Sequence, residues 1–159
     1  MKRWLLWFLF APQFFLLAGL WRDLGLPPLD VGVLLCMFLA MFAQRSALPW
    51  LLLGAAAGRA IVDEAGLPVQ LLVLGIPVAV LLPLRSWFFG QRWIWQAGAA
   101  ALCAIAIPKL AGLFGRVFQQ PSQSASLDLV SVIWAALLLP PLLSVLRWLP
   151  PLVAFEEEA

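Results

Sequence analysis

The chain has 159 residues, 64% of them hydrophobic and 11% charged, with a mean hydropathy of +1.00 and a formal net charge of +2. Soluble domains are typically about 45–50% apolar and about 25% charged, so this composition excludes an ordinary water-soluble fold. At about 20 apolar residues per span plus connections, the length accommodates one domain of about six membrane helices.

The first apolar run follows Met1-Lys2-Arg3-Trp4 and reaches Trp21. It is about 18 residues long, beyond the 7–15 of a signal-peptide core, and ends in Trp21-Arg22-Asp23 without a small-x-small cleavage site. It therefore reads as a retained first helix over residues 4–21. Polar breaks at Arg22–Asp30, Gln44–Ser46, Asp63–Gly66, Arg85–Arg92 and Arg116–Ser126 then predict helices over 28–43, 47–62, 67–84, 93–115 and 127–149, with a short acidic tail at 152–159. The fold expected is an all-α integral membrane domain, a compact bundle of six transmembrane helices. The second and third helices are short for a bilayer core of about 30 Å and are expected to thin it or to be shielded by neighbours. Pro12, Pro77, Pro108, Pro140 and Pro141 lie within these spans, where a membrane helix tolerates proline if neighbours re-satisfy the freed carbonyls.

Six helices place the N-terminus, the second and fourth connections and the C-terminus on one side, together with Lys2, Arg3, Arg45, Arg85, Arg92 and Arg147. The opposite side holds Arg22, Arg59, Lys109 and Arg116 with Asp23, Asp30, Asp63, Glu64 and Asp128. The bias of basic residues makes the first side cytoplasmic. Tryptophan favours the headgroup level, and Trp4, Trp7, Trp50, Trp87, Trp93, Trp95 and Trp148 all map to that same side.

Chemistry is sparse. His and Tyr are absent, which removes the commonest proton-transfer group near neutral pH and the commonest metal ligand. Cys36 and Cys103 lie in apolar runs and read as buried small hydrophobes, with no disulfide framework or metal knuckle. No P-loop, HExxH, GxSxG or CxxC occurs. A non-enzymatic protein without metal or cofactor is expected.

The densest polar segment runs from Gly54 to Pro68. Gly54 and Gly58 form a GxxxG face that lets another helix backbone approach, either within the chain or from a partner. Arg59 and Asp63 are four apart on one helix face and can pair; the alternative is that Arg59 snorkels while Asp63 and Glu64 are solvated. Asp63 is also a candidate for positioning the outer loop or touching a partner. Lys109 sits roughly 10 Å below the predicted outer surface, either snorkelling or serving a ligand or a carboxylate such as Asp128 or Asp63. The fourth connection, Arg85 to Gln96, mixes cations with aromatics and reads as an interfacial anchor, with no case for nucleic acid. The polar stretch Gln119–Ser126 reads as an outer loop, with Ser126 a candidate cap for the last helix.

The third helix, Gly54-x3-Gly58-x4-Asp63 with Gly66 and Pro68 just beyond, resembles the rod shape-determining protein MreD family. Arg85, Phe88, Phe89 and Gln96 extend the similarity, which covers roughly residues 48–100. The chain departs from the family in having Arg59 where Leu is frequent, and in its nine tryptophans. The resemblance implies a bacterial inner-membrane scaffold of the cell-wall elongation complex. It would hold MreC and, through it, the glycosyltransferase RodA and its class B penicillin-binding protein, with MreB filaments inside. The expected packing or partner-binding residues are Gly54, Gly58, Arg59, Asp63, Gly66 and Arg85. MreD-like chains also resemble the S-components of energy-coupling vitamin transporters. That likeness supplies the alternative of a small-molecule-binding subunit with Lys109 and Arg59 near its pocket.

Overall fold

A computed structural model of the protein describes residues 2–24, 30–85, 92–120 and 129–146. Among them the chain is all-α: α1 (Lys2–Asp23), α2 (Val31–Met41), α3 (Leu48–Val62), α4 (Leu67–Leu81) continued by a 3-10 turn (Leu82–Leu84), α5 (Arg92–Val117) and α6 (Leu129–Leu146). These are the six helices expected from the apolar runs, with ends shifted by a few residues. All five prolines named above lie inside helices.

The largest departure is α2, with 11 residues where 28–43 was expected. Its start is set by Asp30, whose side chain accepts a hydrogen bond from the Gly32 N–H and so satisfies an orphan donor of the first turn. Phe42 closes the other end through its N–H to the Phe38 carbonyl. At about 1.5 Å per residue the helix is only about 16 Å long, and every one of its residues is buried.

That burial follows from position, because α2 packs against each of the other five helices while α1, α3, α4, α5 and α6 follow one another around it. Trp7 meets Leu51 and Gly54, and Ala11 and Pro12 meet Gly58, so α1 and α3 run parallel. The turn between α3 and α4 lies beside the start of α2 and the end of α5. The end of α4 reaches the end of α2 through Arg85 and Ala43. Polar side chains are thereby gathered at the end of the bundle where α2 begins.

The outer surface is apolar. Leu9, Leu17 and Leu20 on α1, Leu102 and Leu113 on α5, and Ile133 and Leu137 on α6 are all exposed. Two segments, Leu67–Leu84 and Trp93–Val117, are long and apolar enough to cross a membrane, while Leu6–Ala18, Val31–Met41, Leu48–Val62 and Leu129–Val145 are shorter apolar helices.

The end of α5 is a Schellman turn: the Gln120 N–H reaches the Gly115 carbonyl at 2.9 Å and the Gln119 N–H the Arg116 carbonyl at 3.3 Å. Its left-handed position is held by Gln119 at φ 52°, where glycine is the usual residue. Gln119→Gly is therefore expected to leave stability unchanged or raise it by up to about 1 kcal/mol, relief of side-chain strain being partly offset by greater freedom of the unfolded chain. A drop in melting temperature would contradict it.

Candidate functional site

Four polar side chains from three helices and their caps converge where α2 begins. Asp30 precedes α2, Arg59 lies in the last turn of α3, Asp63 follows that helix as its C-cap, and Gln70 enters from the first turn of α4. Arg59 Nε stands 3.9 Å from Asp63 Oδ2, with the two side chains 15% and 18% exposed. Gln70, fully buried, donates from Nε2 to the same carboxylate oxygen at 2.7 Å. A Cβ on Gly32 would lie 2.9 Å from Arg59 Nη1 and 2.9 Å from Asp30 Oδ1, so glycine is what lets the guanidinium lie against the first turn of α2. A cation there opposes the positive end of the α2 dipole, and Asp30 offsets it.

The cluster is under-satisfied. Arg59 Nη1, Asp63 Oδ1 and Gln70 Oε1 are buried without a hydrogen-bond partner, at a cost of about 1–3 kcal/mol for a typical buried group and more for a charged one. Two acceptors and one donor thus face a region with little access to solvent. Among the described residues no group of three metal-ligating side chains occurs.

A second clamp joins α5 to the α3–α4 turn. Gln120 Oε1 accepts a hydrogen bond from the Gly66 N–H at 2.7 Å. Gly66 is the N-cap of α4 and has no side chain with which to cap. In a capping box a Glu or Gln three residues into the helix reaches back to the N-cap N–H. That position here is Val69, and Gln120 supplies the contact from 54 residues away. A Cβ on Gly66 would lie 3.2 Å from both Gln120 Nε2 and Oε1, so the glycine also makes room for its partner.

The residues expected from the sequence divide accordingly. Arg59, Asp63 and Gly66 belong to this polar end, and the Arg59–Asp63 pairing is present as expected. Gly54 and Gly58 face α1: a Cβ at Gly54 would come 2.7 Å from Trp7 Cδ1, and one at Gly58 would come 2.9 Å from the main chain of Ala11 and Pro12. The GxxxG face is thus occupied within the chain, which removes it as a docking face for a partner. Arg85 lies at the opposite end, its Nη1 donating to the Ala43 carbonyl at 3.0 Å. Lys109 is exposed on α5, the side-chain setting that the snorkelling alternative requires and a buried charge does not have. Asp128, Ser126, Phe88 and Phe89 lie outside the described residues. Trp7 is corrected: it is fully buried and donates to the Leu51 carbonyl at 3.1 Å, whereas Trp50, Trp93 and Trp95 are exposed as an interfacial belt requires.

Gln70 and Gln120 escaped the sequence reading. Gln70 is the sole polar side chain between Leu67 and Leu84, which was a usable signal, since a lone amide in an apolar helix needs a partner. A double-mutant cycle of Gln70→Leu and Asp63→Ala, read by chemical unfolding in detergent, is expected to give a coupling of about 1.5–3 kcal/mol, the range for a hydrogen bond to a charged group. Additivity within about 0.5 kcal/mol would show the contact to be energetically idle.

No protein-family model, curated protein or solved structure matches the chain.

Proposed function

We propose that the chain is a six-span membrane protein that works by assembly and not by catalysis. The observation that carries this reading is the inverted character of the surface: large apolar side chains face outward along α1, α5 and α6, while the charged and amide side chains described above, Lys109 apart, gather at helix ends. Exposed apolar area on that scale suits lipid and not water. The shortness of α2 is compatible with a bilayer because its neighbours cover it completely, whereas α3, 15 residues and about 22 Å long, would thin the adjacent lipid. With the basic side inward, both termini are cytoplasmic and the polar end faces outward.

Within that class, the reading adopted is an inner-membrane scaffold of the cell-wall elongation complex, with MreC, RodA, its class B penicillin-binding protein and, indirectly, MreB as partners. Its support is the likeness to MreD over residues 48–100, whose Gly54, Gly58, Asp63 and Gly66 form one continuous piece of the fold: two glycines seating α1, then the carboxylate and the clamped turn. The second reading, a ligand-capturing subunit of an energy-coupling transporter, is favoured by the unpartnered Arg59, Asp63 and Gln70 atoms at the outward end. Lys109 is exposed on α5 and is not among those unpartnered buried groups.

Crosslinked affinity purification from native membranes, with the tag on the cytoplasmic C-terminus, separates the two. Enrichment of MreC and the wall synthases is the expected result. Recovery of a transport ATPase module without wall proteins would overturn the scaffold reading and direct attention to Arg59 and Asp63.

A further inference from the structure

We propose that Lys109 and Arg116 form a binding site for the phosphate of an anionic phospholipid on the outward half of α5. The inference rests on the membrane reading above.

Both side chains are exposed, and the surface around them is apolar and open, with Leu102, Leu113 and Val117 all more than half exposed. A cation in that setting faces hydrocarbon. Among the described residues neither Lys109 nor Arg116 has an ion-pair partner. Seven residues apart, the two lie within about 20° of one another around the helix and about 10 Å apart along it. Between them is Gly112, where an added Cβ would meet nothing within 4 Å. The Gly112 flank of the strip between the two cations is therefore bare, while the exposed Leu113 lines its other flank.

The direction of the Arg116 side chain favours an anion beside Gly112. In a helix the Cα–Cβ bond tilts toward the N-terminus, and for α5 that direction runs from the outer surface toward the membrane centre. Arg116 therefore leans back over Gly112. Lys109 leans deeper, and reaching the outer surface alone would require its stem to fold back against that tilt. A phosphate beside Gly112 lies under Arg116 and about 4.5 Å outward of Lys109, a shorter fold-back for the flexible lysine stem than the outer surface, and its acyl chains would lie along the exposed leucines. The guanidinium presents a fork suited to phosphate oxygens, and the ammonium supplies a point charge.

The test uses the full chain in nanodiscs of phosphatidylcholine containing a graded fraction of phosphatidylglycerol, with retained lipid counted by native mass spectrometry. The wild type is expected to retain phosphatidylglycerol selectively, and Lys109→Gln and Arg116→Gln each to weaken retention about fivefold, the loss expected for one basic residue at a membrane surface. Millimolar inorganic phosphate should not displace the lipid; displacement would identify a soluble phosphate compound as the ligand and overturn the lipid assignment. Equal retention in the wild type and both variants would overturn the site. So would an Asp128→Asn variant that matches Lys109→Gln in lost thermal stability while lipid retention stays unchanged, since Lys109 would then serve an internal ion pair. Alkaline carbonate extraction of the wild type is read separately: release of the chain would remove the membrane reading itself, whereas a retained chain with unselective lipid removes this site alone.

Discussion

Gly58→Leu is expected to force α1 away from α3 and to leave little folded protein in mild detergent. The space a Cβ would need at residue 58 is taken by main-chain atoms of Ala11 and Pro12, at 2.9 Å. Main-chain atoms cannot rotate aside as a flexible side chain does, so accommodation requires a whole helix to shift. Overpacking an ordinary core site costs about 1–3 kcal/mol, and a rigid contact of this kind falls at or above the upper end. In a membrane the loss is compounded, because close packing is itself the main attraction between apolar helices. Gly98→Leu is the matched control: an added Cβ there meets nothing within 4 Å, and its melting temperature should stay close to that of the wild type. Recovery of both variants as equally stable monodisperse protein would show that the α1–α3 contact does not hold the bundle together.

Trp7→Ala is expected to destabilise the bundle by about 3–5 kcal/mol, the range for truncating a fully buried large aromatic side chain. Trp7 has no exposed surface and lies against Gly54, whose missing Cβ makes room for the indole. Trp7→Phe separates the two contributions. It keeps most of the aromatic volume and deletes the 3.1 Å hydrogen bond to the Leu51 carbonyl. That carbonyl lies within α3 and keeps its helical partner, so the Phe variant leaves no orphan and should lose only about 1 kcal/mol from the bond itself. Thermal unfolding in detergent distinguishes these values. A Trp7→Ala protein as stable as Trp7→Phe would mean that the indole is not packed as described.

The two variants also mark where the sequence was informative. Gly54 and Gly58 announced a close helix approach through their spacing, while nothing in that spacing said that α1 was the helix received. Trp7 shares its amphipathic ring with Trp50, Trp93 and Trp95, and composition placed all four at the interface. Three are exposed there, and the fourth is buried because α3 offers a glycine and a carbonyl opposite it. At the polar end, Arg59 and Asp63 were legible as a pair because four residues is one turn of the same helix. Gln70 and Gln120 were not, since the first meets Asp63 only after the chain has turned at Gly66, and the second arrives from a different helix.

By itself the sequence determined the all-α class, the number of helices and the placing of the charged residues at or near their ends, Lys109 being the exception among the described residues, because each depends on local apolar runs and the polar breaks between them. The tertiary structure alone decided that the shortest helix is the central one, that the GxxxG face receives α1, and that Gln120 caps α4. The contacts responsible span 44, 38 and 54 residues of chain in the Trp7–Leu51, Cys36–Leu74 and Gly66–Gln120 pairs. A helix apolar on all sides carries no amphipathic stripe to say which face turns inward, so the choice falls to the shape of the surfaces that the folded neighbours present.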